Sequence, residues 1–322
     1  MVSLESLFYQ NLKKLNNILV LNMAKKIVLS AKKEHDVIKN VIKKLKEIQN
    51  INLILHDPTE DFLNLEDLHN QFGDADFIIA KVASDCSIDL LHFAKLYKIP
   101  TLHDIDTVLT CKNRVALDHV LRRIFNKYSK ELENFLLPKS WTHSLININR
   151  FKEWASSRLP IVIKSHYQHD KYNRFNFLVQ KIEEIDKFCK IYSKFLYYDV
   201  YIQKFVECDG IELKVYMIGD KVFGIKRENP IYIFLRDRPR SIDVETIKRV
   251  KFKVPDDMKN LAKVLAKELN LKIFGFDLVK PLNQDGYFLI DLNDFPGFRG
   301  INNIDNVMAD FIKKYLNLIQ DY

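Results

Sequence analysis

Glycine is scarce in this chain, eight in 322 residues, and none falls between Lys164 and Gly210. That excludes from this stretch a glycine-rich loop whose backbone N–H groups wrap a phosphate, so any anion bound there must be met by side chains. Only four cysteines occur, Cys86, Cys111, Cys189 and Cys208, without CxxC spacing. Neither a disulfide framework nor a zinc site is indicated, and a reducing, cytoplasmic setting is expected. No apolar run reaches the length of a membrane span. Met1 to Leu21 carries apolar residues at helical spacing, but Glu5, Lys13 and Lys14 interrupt them. We read residues 1–22 as an amphipathic helix packed on the body, with neither a signal peptide nor membrane insertion. Internal repeats, low-complexity segments and an RNP-like aromatic pair are also missing, so nucleic acid is not the expected partner.

What the chain does have is basic charge and length. A formal charge of +8 favours a polyanionic partner, which charge alone leaves open among nucleic acid, an anionic membrane and a small polyphosphate. At 322 residues the chain exceeds one ordinary domain. Strands at 27–30, 51–55 and 76–80 alternate with helices at 37–48, 65–71 and 88–97, and a short strand follows near Pro100. This alternation predicts a parallel sheet covered by helices, with ligands outside the strand ends. Those ends carry Ser30-Ala-Lys-Lys33 and Lys81. A helix is expected over 114–128, with Lys112-Asn-Arg114 at its start. Lys164 ends an apolar strand, where an ammonium can offset phosphate charge. The segment 231–254 reads as a basic, irregular loop.

The most informative stretch is LKIFGFDLVKPLNQDGYFLIDLNDFPGFRG, residues 271–300. Two β-type runs, 273–279 and 287–292, flank an Asp-Gly turn. Side chains alternate along each strand, so Asp277, Asp291 and Asn293 fall on one face and form an oxygen set for a hard cation. Mg²⁺ held by so few protein oxygens completes its shell with water and phosphate, which points to a nucleotide site.

FGFDLV followed by LIDLNDFPGF resembles the metal hairpin of ATP-grasp enzymes, and the DINxFPG-like spelling is similar to the inositol-tetrakisphosphate 1-kinase (inositol trisphosphate 5/6-kinase) family. The resemblance implies an α/β ATP-grasp fold: a Rossmann-like α/β subdomain at 23–103 and two α+β subdomains, 104–199 and 200–322, enclosing the nucleotide. It implies ATP and Mg²⁺, with Mg²⁺ on Asp277, Asp291 and Asn293. For the nucleotide it implies Arg114, Lys164, the hinge strand Gln203, Lys204, Phe205 and Val206, then Lys214 and Arg227. For an inositol polyphosphate acceptor it implies Lys33, Lys81, His169, Lys214, Asn293, Gly297 and Arg299. Among these, His169, Lys214 and Asn293 would take part in catalysis. The expectation is a monomeric kinase that phosphorylates a ring hydroxyl, with movement of phosphate between inositol phosphates left open as a further activity. Two alternatives stay open: a carboxylate–amine ligase on the same nucleotide site, and a non-catalytic polyanion- or RNA-binding protein.

Overall fold

A computed structural model describes residues 24–167, 174–196, 198–237 and 242–318. The expected N-terminal helix and His169 lie outside the described residues. The chain divides into two units, residues 1–102 and 103–322, each taken by itself below.

In the first unit β1 (Lys25–Ser30), α1 (Asp36–Lys46), β2 (Ile51–His56), α2 (Leu68–Phe72), β3 (Phe77–Ala80) and α3 (Asp85–Leu96) follow in order. The strands form a parallel sheet in the order β2-β1-β3. Ile27, Val28 and Leu29 of β1 and all of β3 are buried, as continuous apolar runs in a covered parallel sheet should be. α1 turns Ile38, Val41 and Leu45 inward, one helical stripe. The short strand near Pro100 is a single bridge, Ile78 to Thr101.

The second unit starts with α4 (Ile105–Lys112) and α5 (Arg114–Lys127), then β4 (Phe135–Leu136), β5 (Ser140–Ser144), α6 (Ile148–Ser156), β6 (Ile161–Ser165) and β7 (Asn176–Val179). α7 (Glu184–Ile191), β8 (Asp199–Lys204), β9 (Cys208–Ile218), β10 (Lys221–Glu228), α8 (Pro230–Asp237) and β11 (Arg249–Phe252) come next. α9 (Asp256–Glu268), β12 (Ile273–Pro281), β13 (Tyr287–Asn293) and α10 (Ile304–Leu318) complete it. Two sheets result: a four-stranded one ordered β5-β8-β6-β7 and a six-stranded one ordered β11-β10-β9-β12-β13-β4. The smaller sheet packs Ile161, Ile163, Val200 and Ile202 against Phe151 of α6 and Phe188 of α7. The larger packs Phe274, Phe276 and Leu278 against Leu117, Leu121 and Ile124 of α5 and Leu261 and Leu265 of α9. Among the described residues no helix is long and apolar enough to cross a membrane.

The elements differ from the expectations at three places. Residues 105–136 fall in the expected 104–199 subdomain, yet Cys111, Leu117, Leu121, Leu132 and Phe135 belong to the core of the six-stranded sheet. β8 crosses the expected break at 199/200, because it pairs with β5 and β6 in the smaller sheet. The basic stretch 231–254 holds a helix and an edge strand. Asn229 accepts from the N–H of Ile231 at 2.9 Å and Pro230 opens α8, an N-terminal signal outweighed in the reading by the nearby arginines.

Candidate active site

Between the two sheets of the second unit lies a cavity of about 1060 Å³. Antiparallel registry across β10, β9, β12 and β13 places Arg227 opposite Glu212, Lys214 opposite Asp277, and Asp277 opposite Asp291. Because facing residues of paired strands share a sheet face, these side chains form one charged row along the cavity wall. Arg227 donates to Glu212 at 3.0 and 3.2 Å. Lys214 lies 2.7 Å from Glu212 and 2.6 Å from Asp277. Asp291 accepts from Arg114 at 2.9 Å. The signs alternate along the row except at one step, where Asp277 faces Asp291.

That step dominates the electrostatics. Burial pushes the Asp277 carboxyl up to about 6, with Glu212 and Asp291 adding to the rise and Lys214 opposing it. Asp291 moves the other way: burial alone would raise it, but Arg114, Lys164, Arg174 and Lys214 together hold it below the usual carboxylate range. Burial likewise works against the charge of Lys214, and Asp277 with Glu212 reverses the effect and raises it. Glu212, also buried, is kept low by Lys214 and Arg227.

Lys164 enters the same space from the end of β6. It donates to Gln203 Oε1 at 2.8 Å and to the Ile290 carbonyl at 3.0 Å. Burial, then the nearby Arg114 charge, bring its ammonium down to about 8. Gln203 therefore acts here as the holder of Lys164. Lys204, Phe205 and Val206 line the cavity as the expected hinge, although the Lys204 ammonium is turned to the carbonyls of Arg158 and Leu159 at 3.0 and 2.7 Å. Phe205 stands 5.9 Å from the ring of Tyr232, at an apolar end suited to a flat base. Gly297 and Arg299 also line the cavity. Arg299 is paired with Glu245, which also accepts from Arg249 at 3.2 Å.

Asp277, Asp291 and Asn293 are thus brought to one cavity, as the strand alternation predicted. Asn293 faces Gly275, where a Cβ would lie 2.7 Å from the Tyr216 ring and 3.1 Å from Pro296, so glycine lets the Phe-Pro-Gly turn fold back over the strand. No group of three or more His, Cys, Asp and Glu residues with metal-site geometry occurs among the described residues. Two carboxylates and one amide oxygen are nonetheless a donor set for a hard cation that keeps several waters. The crowding that lifts Asp277 is the feature a divalent cation would relieve.

Lys33 and Lys81 lie in the first unit. The Lys33 ammonium is held by Asp61 at 3.0 and 3.2 Å, and its N–H by Asp57 at 2.8 Å. Lys81 is half-buried just past β3, its N–H donating to the Ser30 carbonyl at 2.8 Å. Neighbouring them, Ser30 Oγ is 3.0 Å from His56 Nδ1 and donates to Ser87.

Sequence reasoning missed Glu212, Arg249 and the pair Lys112–Asp294. Glu212 sits two residues from Lys214 on the same face of β9, a period-two signal that was available. Lys112 donates to Asp294 at 2.5 Å across 182 positions, and both side chains are buried. Nothing local in the sequence announces that contact. Beside it His103 accepts from the N–H groups of Lys272 and Ile273 at 3.0 and 3.2 Å. Its ring is neutral, and burial lowers it to about 4.

Comparison with known proteins bears on the fold and on the family that the chain resembles. Residues 235–314 match the inositol 1,3,4-trisphosphate 5/6-kinase ATP-grasp domain. Inositol-tetrakisphosphate 1-kinase 3 of Arabidopsis thaliana is 27% identical over 129 residues, 34% of this chain and 36% of that protein. The aligned part thus spans little more than a third of the relative's length. Inositol-tetrakisphosphate 1-kinase 1 of the same plant aligns over 319 residues at 21% identity, 88% of this chain and 92% of the relative. Among solved structures, the RiPP-associated ATP-grasp ligase of Chryseobacterium gregarium, in complex with ADP and a leader and core peptide, superposes with a TM-score of 0.63. It is 14% identical and covers 90% of this chain and 97% of its own. The fold is ATP-grasp, and the resemblance read from the late hairpin is found again in the matching family model.

Proposed function

We propose that this chain is an ATP-dependent phosphotransferase that moves the γ-phosphoryl group of ATP to a hydroxyl of an inositol polyphosphate. The observation that carries the reading is the step where Asp277 faces Asp291 inside a large cavity, in a row whose charges otherwise alternate. Asp277, Asp291 and Asn293 would hold Mg²⁺, which when bound neutralises triphosphate charge and eases departure of ADP. Lys164, fixed by Gln203, offers its ammonium to the phosphates, together with Arg114, Lys214 and Arg227. Phe205, Val206 and Tyr232 supply the slot for the base. In the transfer a bond forms between the acceptor oxygen and the γ-phosphorus, the bond to the β-phosphate bridging oxygen breaks, and the hydroxyl proton passes to solvent. A loose transition state needs positioning and charge neutralisation more than a strong base.

The acceptor assignment is supported by the inositol-kinase relatives and by Arg249 and Arg299, which line the cavity. Lys33, Lys81 and His169 are carried as acceptor contacts on the resemblance alone. A second reading is favoured by the solved ATP-grasp ligase of the same fold: a ligase that activates a carboxylate as an acylphosphate and joins it to an amine. One experiment separates the two. The protein is incubated with ATP and Mg²⁺, either with a panel of inositol phosphates or with mixed carboxylic acids and amines, and the products are resolved by mass. The kinase reading predicts an inositol phosphate one phosphate heavier, with ADP formed in equal amount. ADP formation that requires both an acid and an amine would establish the ligase instead.

A further inference from the structure

Two residues of the α4–α5 junction reach both ends of the segment that carries Asp291 and Asn293, two of the three proposed metal ligands. Lys112 holds Asp294 at 2.5 Å, and Arg114 holds Asp291 at 2.9 Å. Between them, the Asn113 side chain accepts from the N–H groups of Val115 and Ala116 at 3.0 Å each and so caps α5. Asn293 therefore sits inside a stretch gripped on either side by cations from one rigid helix start. The same junction also holds the chain just past Lys164. The Arg114 N–H donates to the His166 carbonyl at 3.0 Å, and Asn113 bridges to Tyr167. The strand that brings Lys164 and the strand that brings Asp291 and Asn293 are thus both fastened to residues 112–114.

Fold stability does not account for the Lys112–Asp294 pair. Its side chains are 8% and 1% exposed, and a buried ion pair is often no more stabilising than apolar side chains of the same volume. Asp294 Oδ2 has no hydrogen-bond partner among the described residues, so the carboxylate is not there to complete a polar network. What the pair does supply is a fixed direction: an ammonium and a carboxylate in contact leave β13 one way to exit.

We propose that Lys112 and Asp294 are positioning residues of the nucleotide site, which set Asn293 and the Lys164 strand end in the geometry that binds the metal–nucleotide complex. The inference rests on the nucleotide-site reading above. Its test is the double variant Lys112→Met/Asp294→Leu, which exchanges the ion pair for apolar volume. Thermal unfolding reports the fold, and binding of Mn²⁺–ADP, read from the Mn²⁺ spin resonance and by calorimetry, reports the site. The double variant is expected to unfold within a few degrees of the natural protein and to bind Mn²⁺–ADP roughly 10- to 100-fold more weakly, as when supporting partners of metal ligands are lost. Phosphoryl transfer should lose kcat and leave the KM of the acceptor unchanged. A purely structural role predicts the reverse: affinity follows stability, and a folded double variant binds normally. If the double variant does not fold, Asp294→Asn keeps the shape and an acceptor for Lys112, and its Mn²⁺–ADP affinity should still fall at least about threefold, a fraction of the loss usual for such partners. Natural Mn²⁺–ADP affinity in either folded variant overturns the inference alone. Failure of the natural protein to bind Mn²⁺–ADP overturns the nucleotide-site reading and the inference with it.

Discussion

Two buried charged clusters in the second unit follow opposite rules. In the cluster of Lys112, Asp294 and His103, each charge is answered once and the histidine is neutral. Burial would raise Asp294, but Lys112 keeps it ionised and low. The row from Arg227 to Arg114 is open to the cavity and contains two adjacent carboxylates, one of them lifted to about 6 by burial and its neighbours. Charges that cancel within the protein organise a backbone. Charges left in conflict beside a cavity are prepared for something that arrives from solution.

The contrast is broken most forcefully at the conflicting step. Asp291→Ala should lower ATP-dependent phosphoryl transfer by roughly 10²–10³-fold and should also lower the unfolding temperature, because the relief of repulsion on Asp277 is smaller than the cost of leaving the buried Arg114 charge without its carboxylate. Steady-state kinetics beside thermal unfolding checks both halves.

Acid tests the balanced cluster. His103 has a folded value near 4 against an ordinary 6.5, so the unfolded chain binds the extra proton first. Its contribution is complete above about pH 6.5 and is lost as pH falls toward 4, amounting to about 3 kcal/mol at the low end. Urea unfolding at stepped pH should show that slope, and His103→Gln, which keeps an acceptor for the two N–H groups, should flatten it.

Alkali tests the open cluster. Burial, then the Arg114 charge, bring the Lys164 ammonium down to about 8, so ADP affinity should fall by up to about tenfold between pH 7 and 9, one pKa unit being a factor of ten. Lys164→Arg should bind without that decline. The smallest effect is expected at the rim, where Glu245 and Arg299 are each more than a third exposed. Glu245→Gln should lower the acceptor KM by no more than about fivefold, since pairs so exposed contribute under about 1 kcal/mol.

Much of the site was readable because strands alternate. Asp277, Asp291 and Asn293 needed only a period of two and an Asp-Gly turn, and Lys164 only an apolar strand with a charged end. Partners set by registry were not readable. Arg227 meets Glu212, and Asp277 meets Lys214, through strand pairings that no single strand discloses, and Lys112 meets Asp294 across most of the unit. Gln203, expected on the nucleotide side, lines the cavity and also holds Lys164, a contact only side-chain placement discloses. In the fold, the alternating first unit followed from its hydrophobic runs. α8 was hidden by its arginines; α5 was expected over 114–128 and is found at Arg114–Lys127, but α4, and which sheet both helices cover, were not expected, because the two helices precede that sheet in the chain.

The claim that Asp277 and Asp291 await a divalent cation on a nucleotide meets its most direct test in calorimetric titration of ADP into the natural protein and into Asp277→Asn/Asp291→Asn, each with Mg²⁺ and with EDTA. The account predicts that Mg²⁺ strengthens ADP binding to the natural protein at least tenfold and has no effect on the double variant. Equal binding with and without Mg²⁺ in the natural protein would contradict it.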